Sequence, residues 1–295
     1  MAQWVPRLTS ELSTSKYYIL HKGFLSNHLS QAVIALNKLG APDSKIEEVV
    51  KCQVAKLEGR EGPTARSQEA DADSHDQDMS KLLGQRKHFY ILTSYYTNLL
   101  KNNHNDSLDS LVMTEFSKLY PGMVGSALHG LIHTGYGLSE RSSHLVCEGL
   151  AYLHHSNAPL VITSTATEGW NNFGKGDLEL TEVLNKVRAD VGLRNFMLDE
   201  VRKEWIVEKG LSSFQNLCLA LVTKKGDTLM SYANMTRGPD TSGQGLIDWL
   251  LRCSVQLYCM AEVKNDFFIL HGVTATWALS VIVKKIKDND QVRHR

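Results

Sequence analysis

Apolar residues recur at three- and four-residue intervals along most of this chain, and this helical spacing constrains the fold more than any other feature. The segment 26–40 shows the spacing together with its end signals. Ser26 or Asn27 suits the cap that begins a helix, and Gly40 followed by Pro42 suits the end of one. The sequence therefore predicts a helix over this segment.

The same spacing predicts further helices over 84–102, 108–119, 122–138, 140–155 and 177–206. Two segments are apolar on more than one face, which is typical of buried helices, and these are 210–226 and 245–263. Strand alternation is scarce. The best strand candidate, 159–166, equally suits the start of a buried helix. We therefore predict an all-α, or mainly α, fold.

Residues 57–82 lose the helical spacing and are rich in acidic and small polar residues, which predicts a flexible linker or loop. No repeat period is visible elsewhere. We expect a single multi-helix domain over 1–295 with this linker inside it, and the sequence leaves the oligomeric state open.

Charge and cysteine content exclude several classes of protein. Lys plus Arg and Asp plus Glu both total 32, so the chain offers no basic field to a nucleic acid. The five cysteines are widely spread without a C-x-x-C pair, which favours reduced thiols over disulfides or a thiolate zinc site. Neither a signal sequence nor an uninterrupted apolar run of about 18 residues is visible. We expect a soluble, cytoplasmic protein that binds neither nucleic acid nor a membrane.

Four of the 12 histidines fall in apolar helical segments, where an imidazole needs partners for both ring nitrogens. These are His28, His129, His133 and His271. His129 and His133 are four positions apart, so they are predicted one above the other on a helix, as in metal-binding H-x-x-x-H pairs. His28 shares a predicted stripe with Leu36 and Leu39. A shared metal ion would satisfy several rings at once, whereas ordinary hydrogen bonds would satisfy each ring separately.

Neighbouring residues narrow the metal chemistry. In the helical zinc-protease motif a Glu follows the first His, and here that position is Gly130. Helical di-iron sites need a Glu three residues before a ligating His, and neither His129 nor His133 has one. An imidazole-rich site suits iron, copper, zinc or nickel.

The blocks around these histidines are SNHLSQAVIALNKLGAP, GSALHGLIHTGYGL, CEGLAYLHH and NDFFILHGVTATWAL. They resemble the questin oxidase family, fungal and bacterial oxygenases of anthraquinone-type polyketides with relatives in animals. The resemblance implies a helical oxygenase with a mononuclear non-haem metal ion, iron in the first place. It also implies that O2 is activated to oxidise a hydrophobic aromatic substrate, as in a Baeyer–Villiger-like ring opening, with NADPH as reductant.

The same resemblance implies a set of site residues. The metal ligands would be His28, His129, His133 and His271. Tyr136 would donate a hydrogen bond to a substrate carbonyl, and Glu148 or Lys264 would supply a fifth ligand. The apolar wall would consist of Leu128, Ile132, Phe268 and Trp277. Family members usually continue further past the last histidine block than this chain does.

Two other functions stay open at this point. A non-catalytic helical binding or scaffold protein, derived from such an enzyme, would use the histidines as structural residues. A zinc hydrolase is disfavoured by the missing Glu and would need an acidic residue near the metal.

Overall fold

The computed structural model describes residues 4–69, 78–163, 172, 174–202, 213–239 and 243–293 of the chain. Within these residues it has fourteen α-helices and one two-stranded sheet, which confirms the mainly α fold. The first eight helices are α1 Trp4–Ser10, α2 Leu29–Lys38, α3 Asp43–Val54, α4 Pro63–Glu69, α5 Phe89–Asn103, α6 Leu108–Leu119, α7 His129–Ser139 and α8 Ser143–His155. The others are α9 Leu180–Ala189, α10 Val191–Arg202, α11 Ser213–Lys224, α12 Gly226–Met235, α13 Gln244–Met260 and α14 Phe267–Arg293.

Shorter elements connect these helices. Strands β1 Leu20–His21 and β2 Leu25–Ser26 pair antiparallel, with Leu20 opposite Ser26. Two 3-10 helices cover Met79–Leu82 and Tyr120–Gly122, and a tight turn covers Gly125–Leu128.

Several segments differ from the sequence prediction. The helix predicted over 177–206 is divided into α9 and α10. The linker predicted over 57–82 contains α4, in which Thr64, Ala65 and Gln68 are buried, and a 3-10 helix at its end. Residues 70–77 of it lie outside the described residues. The strand candidate 159–166 forms neither strand nor helix over 159–163, and its remainder is not described.

The prediction that 245–263 is a buried helix is wrong about burial. In α13, all of whose residues are described, Ile247 is the one buried residue. Met260 is 62% exposed and Val255 is 42% exposed. The apolar composition of a helix does not by itself show that the helix is buried, and the described residues leave Val255 and Met260 exposed.

The apolar stretch Phe267–Lys285 of α14 is long and apolar enough to cross a membrane, judged by length and composition only. It is the one such stretch among the described residues. In the structure its residues Ala275, Ala278 and Ile282 are buried in the central core.

The central core is formed chiefly by α5, α6, α7, α8 and α14. Glycines let α7 approach its neighbours closely. A β-carbon built on Gly149 of α8 would lie 2.5 Å from the backbone nitrogen of Thr134 on α7. One built on Gly135 of α7 would lie 2.4 Å from the β-carbon of Ala278 on α14. Helix α7, which carries two of the four predicted ligands, is therefore wedged between α8 and α14.

We expect Gly149→Ala to destabilise the protein by about 1–3 kcal/mol, because the added methyl group meets backbone that is not free to move. Gly272→Ala is the matched control. A β-carbon at Gly272 of α14 meets no atom within 4 Å, so this variant gains helix propensity worth up to about 1 kcal/mol. Urea unfolding measures both, and equal effects in the two variants would contradict the close packing of α7 and α8.

Candidate metal centre

The β1–β2 hairpin and the start of α2 position His28. After the hairpin, the Asn27 side chain accepts a hydrogen bond from the Leu29 backbone nitrogen at 3.0 Å, so α2 begins at Leu29 and not at residue 26. His28 therefore immediately precedes the helix. The predicted stripe is wrong as well, because the buried face of α2 includes Leu29 and Val33, whereas Leu39 is 82% exposed.

A left-handed turn positions His129. Ser126, Ala127 and Leu128 have φ angles of 49°, 53° and 67°, a conformation that residues with a β-carbon seldom adopt. Gly125 precedes them, and a β-carbon there would lie 1.6 Å from the Ser156 carbonyl oxygen. Each such residue costs on the order of 1–3 kcal/mol, and such strain clusters at functional sites. The turn delivers His129 as the first residue of α7.

The first turn of α14 positions His271. Asp266 begins it, since its Oδ1 accepts hydrogen bonds from the backbone nitrogens of Phe268 and Ile269, both at 2.9 Å. The ring of His271 then donates through Nδ1 to the carbonyl oxygen of Phe267 at 2.6 Å.

Three histidine rings from these distant segments meet at one point. The Nε2 atoms of His28 and His129 are 2.8 Å apart, and those of His129 and His271 are 3.2 Å apart. One nitrogen from each ring lies within 4.8 Å of the others. Among the described residues this is the one group of three or more side chains able to hold a metal ion, and we call it the histidine trio.

Backbone hydrogen bonds fix the protonation of two rings in the trio. The Nδ1 of His129 bonds the carbonyl oxygen of Ser126, and the Nδ1 of His271 bonds that of Phe267. A carbonyl oxygen can only accept, so in both rings the hydrogen is on Nδ1. In their neutral forms both rings therefore direct bare Nε2 lone pairs at each other.

Protonation of the three rings of the trio is energetically unfavourable. Burial, together with the neighbouring rings of His28 and His271, lowers the pKa of His129 well below its usual 6.5. Burial and the His271 ring lower the pKa of His28 to about 4. Burial also lowers the pKa of His271. The rings are thus neutral at pH 7, and the facing lone pairs of His129 and His271 lack a cation between them.

A metal ion fits this donor set. Ring nitrogens that share one ion at about 2.0–2.1 Å lie roughly 3.0–3.4 Å from one another, close to the observed spacings. Metal-bound histidines usually donate their other ring N–H to a carbonyl or carboxylate, as His129 and His271 do here. Three imidazoles also leave coordination positions open for other ligands.

The fourth predicted ligand, His133, does not join the trio. Its Nδ1 accepts from Nε2 of Gln31 at 3.0 Å, and its Nε2 donates to Glu148 Oε2 at 3.1 Å. Both ring nitrogens are therefore used by protein partners. Helical spacing placed His133 correctly on α7, one turn from His129, but it could not show what lies against each ring.

Glu148, one of the two predicted fifth ligands, is fully engaged by hydrogen bonds. Besides His133 it accepts from the backbone nitrogen and hydroxyl of Thr14, and it pairs with Nε2 of His144 at 2.9 Å. Burial alone would raise the pKa of this carboxyl, but the bonds from His133 and His144 outweigh burial and hold it below its usual value. The other candidate, Lys264, is exposed in the turn between α13 and α14.

Tyr136 lies away from the trio. It is seven residues after His129, about 10 Å along α7, and its ring packs on Trp277 with centroids 4.6 Å apart. Tyr152 of α8 stands nearer: it is 1% exposed and its ring centroid is 6.4 Å from that of His129. Its hydroxyl is 2.5 Å from that of Ser26. No motif in the sequence marks Tyr152.

Phe267 is a second neighbour that the sequence did not indicate. Its ring centroid is 4.6 Å from that of His271 and 6.1 Å from that of His28, and the residue is 52% exposed. The predicted wall residue, Phe268, instead stacks on Phe214 at 4.4 Å. The exposed edge of the trio is therefore aromatic.

Comparison with known protein families finds one match that covers nearly the whole chain. A family model described as Questin oxidase-like matches residues 25–295, a span that contains every member of the trio. No curated protein matches the chain.

Proposed function

The chain belongs to the questin oxidase-like family, and we propose that it is an oxygenase whose histidine trio holds one iron ion. The observation that carries this proposal is the pair of bare Nε2 lone pairs of His129 and His271, 3.2 Å apart and without a proton between them. The family name indicates an oxidase, which agrees with a metal site that has open coordination positions.

In the proposed reaction one oxygen atom of O2 is inserted beside the carbonyl group of an aromatic polyketide-type substrate. The other oxygen atom leaves as water, with two electrons and one proton from NADPH and a second proton from solvent. A bound iron ion would transfer electrons to O2, a step that organic substrates do not carry out directly. We place this activity in the cytoplasm.

The residues of the chain support this chemistry in separate ways. Neutral imidazoles hold the ion without cancelling its charge. Phe267, half exposed beside His28 and His271, offers a flat apolar surface on which an aromatic substrate packs. Tyr152 keeps its proton because burial raises the pKa of its hydroxyl, and Ser26 holds that hydroxyl in place.

The test combines metal analysis with isotope labelling. We expect purified protein, loaded anaerobically with Fe(II), to hold one iron per chain. Given NADPH, an anthraquinone-type ketone and ¹⁸O2, it should place one labelled atom in the product. Absence of any stoichiometric metal would favour a binding or scaffold protein. Zinc at full occupancy without O2 uptake would favour a hydrolase.

A further inference from the structure

A pocket of about 740 Å³ is lined in part by the left-handed turn that leads to His129. Its walls come from the β1–β2 hairpin, from α4, from residues 84–87, from the turn itself and from α11. The volume lies within the range of small-molecule sites, roughly 300–1,000 Å³. None of the trio lines it, so it is a separate site that shares only the Ser126 segment with the trio.

The charges that line the pocket are mainly positive. Lys22, Arg86 and Lys87 line it, and Glu58 is the one carboxylate among the residues that do. That carboxylate is already used, because it accepts from the Thr64 backbone nitrogen and hydroxyl, both at 2.9 Å, and from the Lys22 backbone nitrogen. The lining therefore carries three cationic side chains and one carboxylate, an excess of positive charge.

One donor atom of Arg86 is left without a partner by the described residues. This atom, Nη1, is shielded from solvent and has no hydrogen-bond acceptor among the residues that the structure describes. Burial lowers the pKa of the guanidinium, as expected of a charge removed from water without compensation. Leaving a buried charged donor unpaired is costly, and proteins seldom do so without a reason.

The backbone holds Arg86 in this position. Its own nitrogen donates to the carbonyl oxygen of His155 at 2.9 Å, and that of Gly84 donates to the carbonyl oxygen of His154 at 2.9 Å. Arg86 also has a φ of 53°, in the left-handed region. The end of α8 thus fixes the backbone of the segment that carries Arg86 at the wall of the pocket.

We propose that this pocket binds a small organic anion, whose carboxylate or phosphate oxygens pair with the guanidinium of Arg86. Guanidinium groups bind both oxyanions with paired hydrogen bonds. Lys22 and Lys87, which line the same pocket, add positive charge that attracts either oxyanion. This pocket does not include the histidine trio, so the proposal does not depend on the proposed oxygenase function.

The test uses three probes of similar shape: benzoate, phenyl phosphate and the neutral benzamide. Titration calorimetry on the full chain should show binding of benzoate or phenyl phosphate and none of benzamide. Whichever anion binds identifies the carboxylate or the phosphate as the natural group. Arg86→Met should weaken that binding at least about tenfold, because a charge-assisted hydrogen bond is lost. Arg86→Lys, which keeps the charge, should lose less.

Thermal unfolding gives an independent readout. Without ligand, Arg86→Met should unfold at the same or a higher temperature than the wild type, because a buried unpaired charge is removed. The anion should raise the unfolding temperature of the wild type only. Lys22→Gln serves if Arg86→Met does not fold, and it should weaken binding through the lost charge. The proposal is overturned if neither anion binds, or if a folded Arg86→Met binds as the wild type does.

Discussion

His129→Ala is expected to lose its metal ion at concentrations that saturate the wild type. His129 is the central member of the trio, since its Nε2 is within 3.2 Å of the Nε2 atoms of both His28 and His271. Loss of residues that merely orient a metal ligand costs about 10–100-fold in affinity, so loss of a ligand should exceed that range. Metal content after dialysis against defined Fe(II) concentrations measures the change.

The stability of His129→Ala also shows whether His129 is a metal ligand or a purely structural histidine. In the metal-free protein the bare nitrogens of His129 and His271 repel, so removing one ring should cost little beyond its packing. In the metal-loaded protein the wild type gains about 2.7 kcal/mol when the ion is at 100 times its dissociation constant, and the variant gains almost nothing. His104→Ala is the control, because His104 bonds Ser110 and lies outside the trio. Equal metal content in wild type and His129→Ala would refute the site.

Glu148→Ala is expected to lower the free energy of unfolding by about 3–5 kcal/mol, since it breaks a buried charged network from one side. Glu148 is 1% exposed and serves Thr14, His133 and His144 together. Without it these donors are left unpaired in the core. Glu48→Ala is the matched control, because Glu48 forms an exposed pair with Lys45 worth about 0–1 kcal/mol. Urea unfolding at constant pH measures both changes.

The cost of Glu148→Ala should also depend on pH. The pKa of Glu148 is lower in the folded protein than its ordinary value of 4.5. The stabilisation that ionised Glu148 gives the folded protein is therefore complete above pH 4.5 and is lost as the pH falls through the lowered pKa. Burial lowers the pKa of His144, but the contact with Glu148 outweighs burial and raises this pKa above 6.5. The stabilisation that protonated His144 gives the folded protein is therefore complete below pH 6.5 and is lost as the pH rises through the raised pKa. The difference between wild type and variant should therefore be largest between pH 4.5 and 6.5. A pH-independent difference would contradict the ion pair.

Helical spacing was sufficient to predict the helices that build the core, because α5, α6, α7 and α8 bury one or more apolar faces. It also identified His129 and His271 as buried rings. It could not separate His133 from the trio, because that depends on Gln31 and Glu148 arriving from other helices. The left-handed turn before His129 was equally invisible, since Ser126, Ala127 and Leu128 have side chains that favour the ordinary conformation.

The Gln31–His133–Glu148 chain has a role that only the folded structure shows. Gln31 follows His28 by three residues on α2, and His133 follows His129 by four on α7. Their hydrogen bond therefore fixes the two segments that carry His28 and His129 relative to each other, and Glu148 anchors both to α8. His133, which the resemblance placed among the ligands, thus links the segments that carry His28 and His129.

The three members of the trio come from the beginning, the middle and the last described helix of the chain. During synthesis at roughly 5–20 residues per second, a nascent chain would display His28 and His129 well before His271 emerged from the ribosome. A truncated product lacking α14 would offer two imidazoles at most. All three rings of the trio would therefore be available only after α14 has been synthesised.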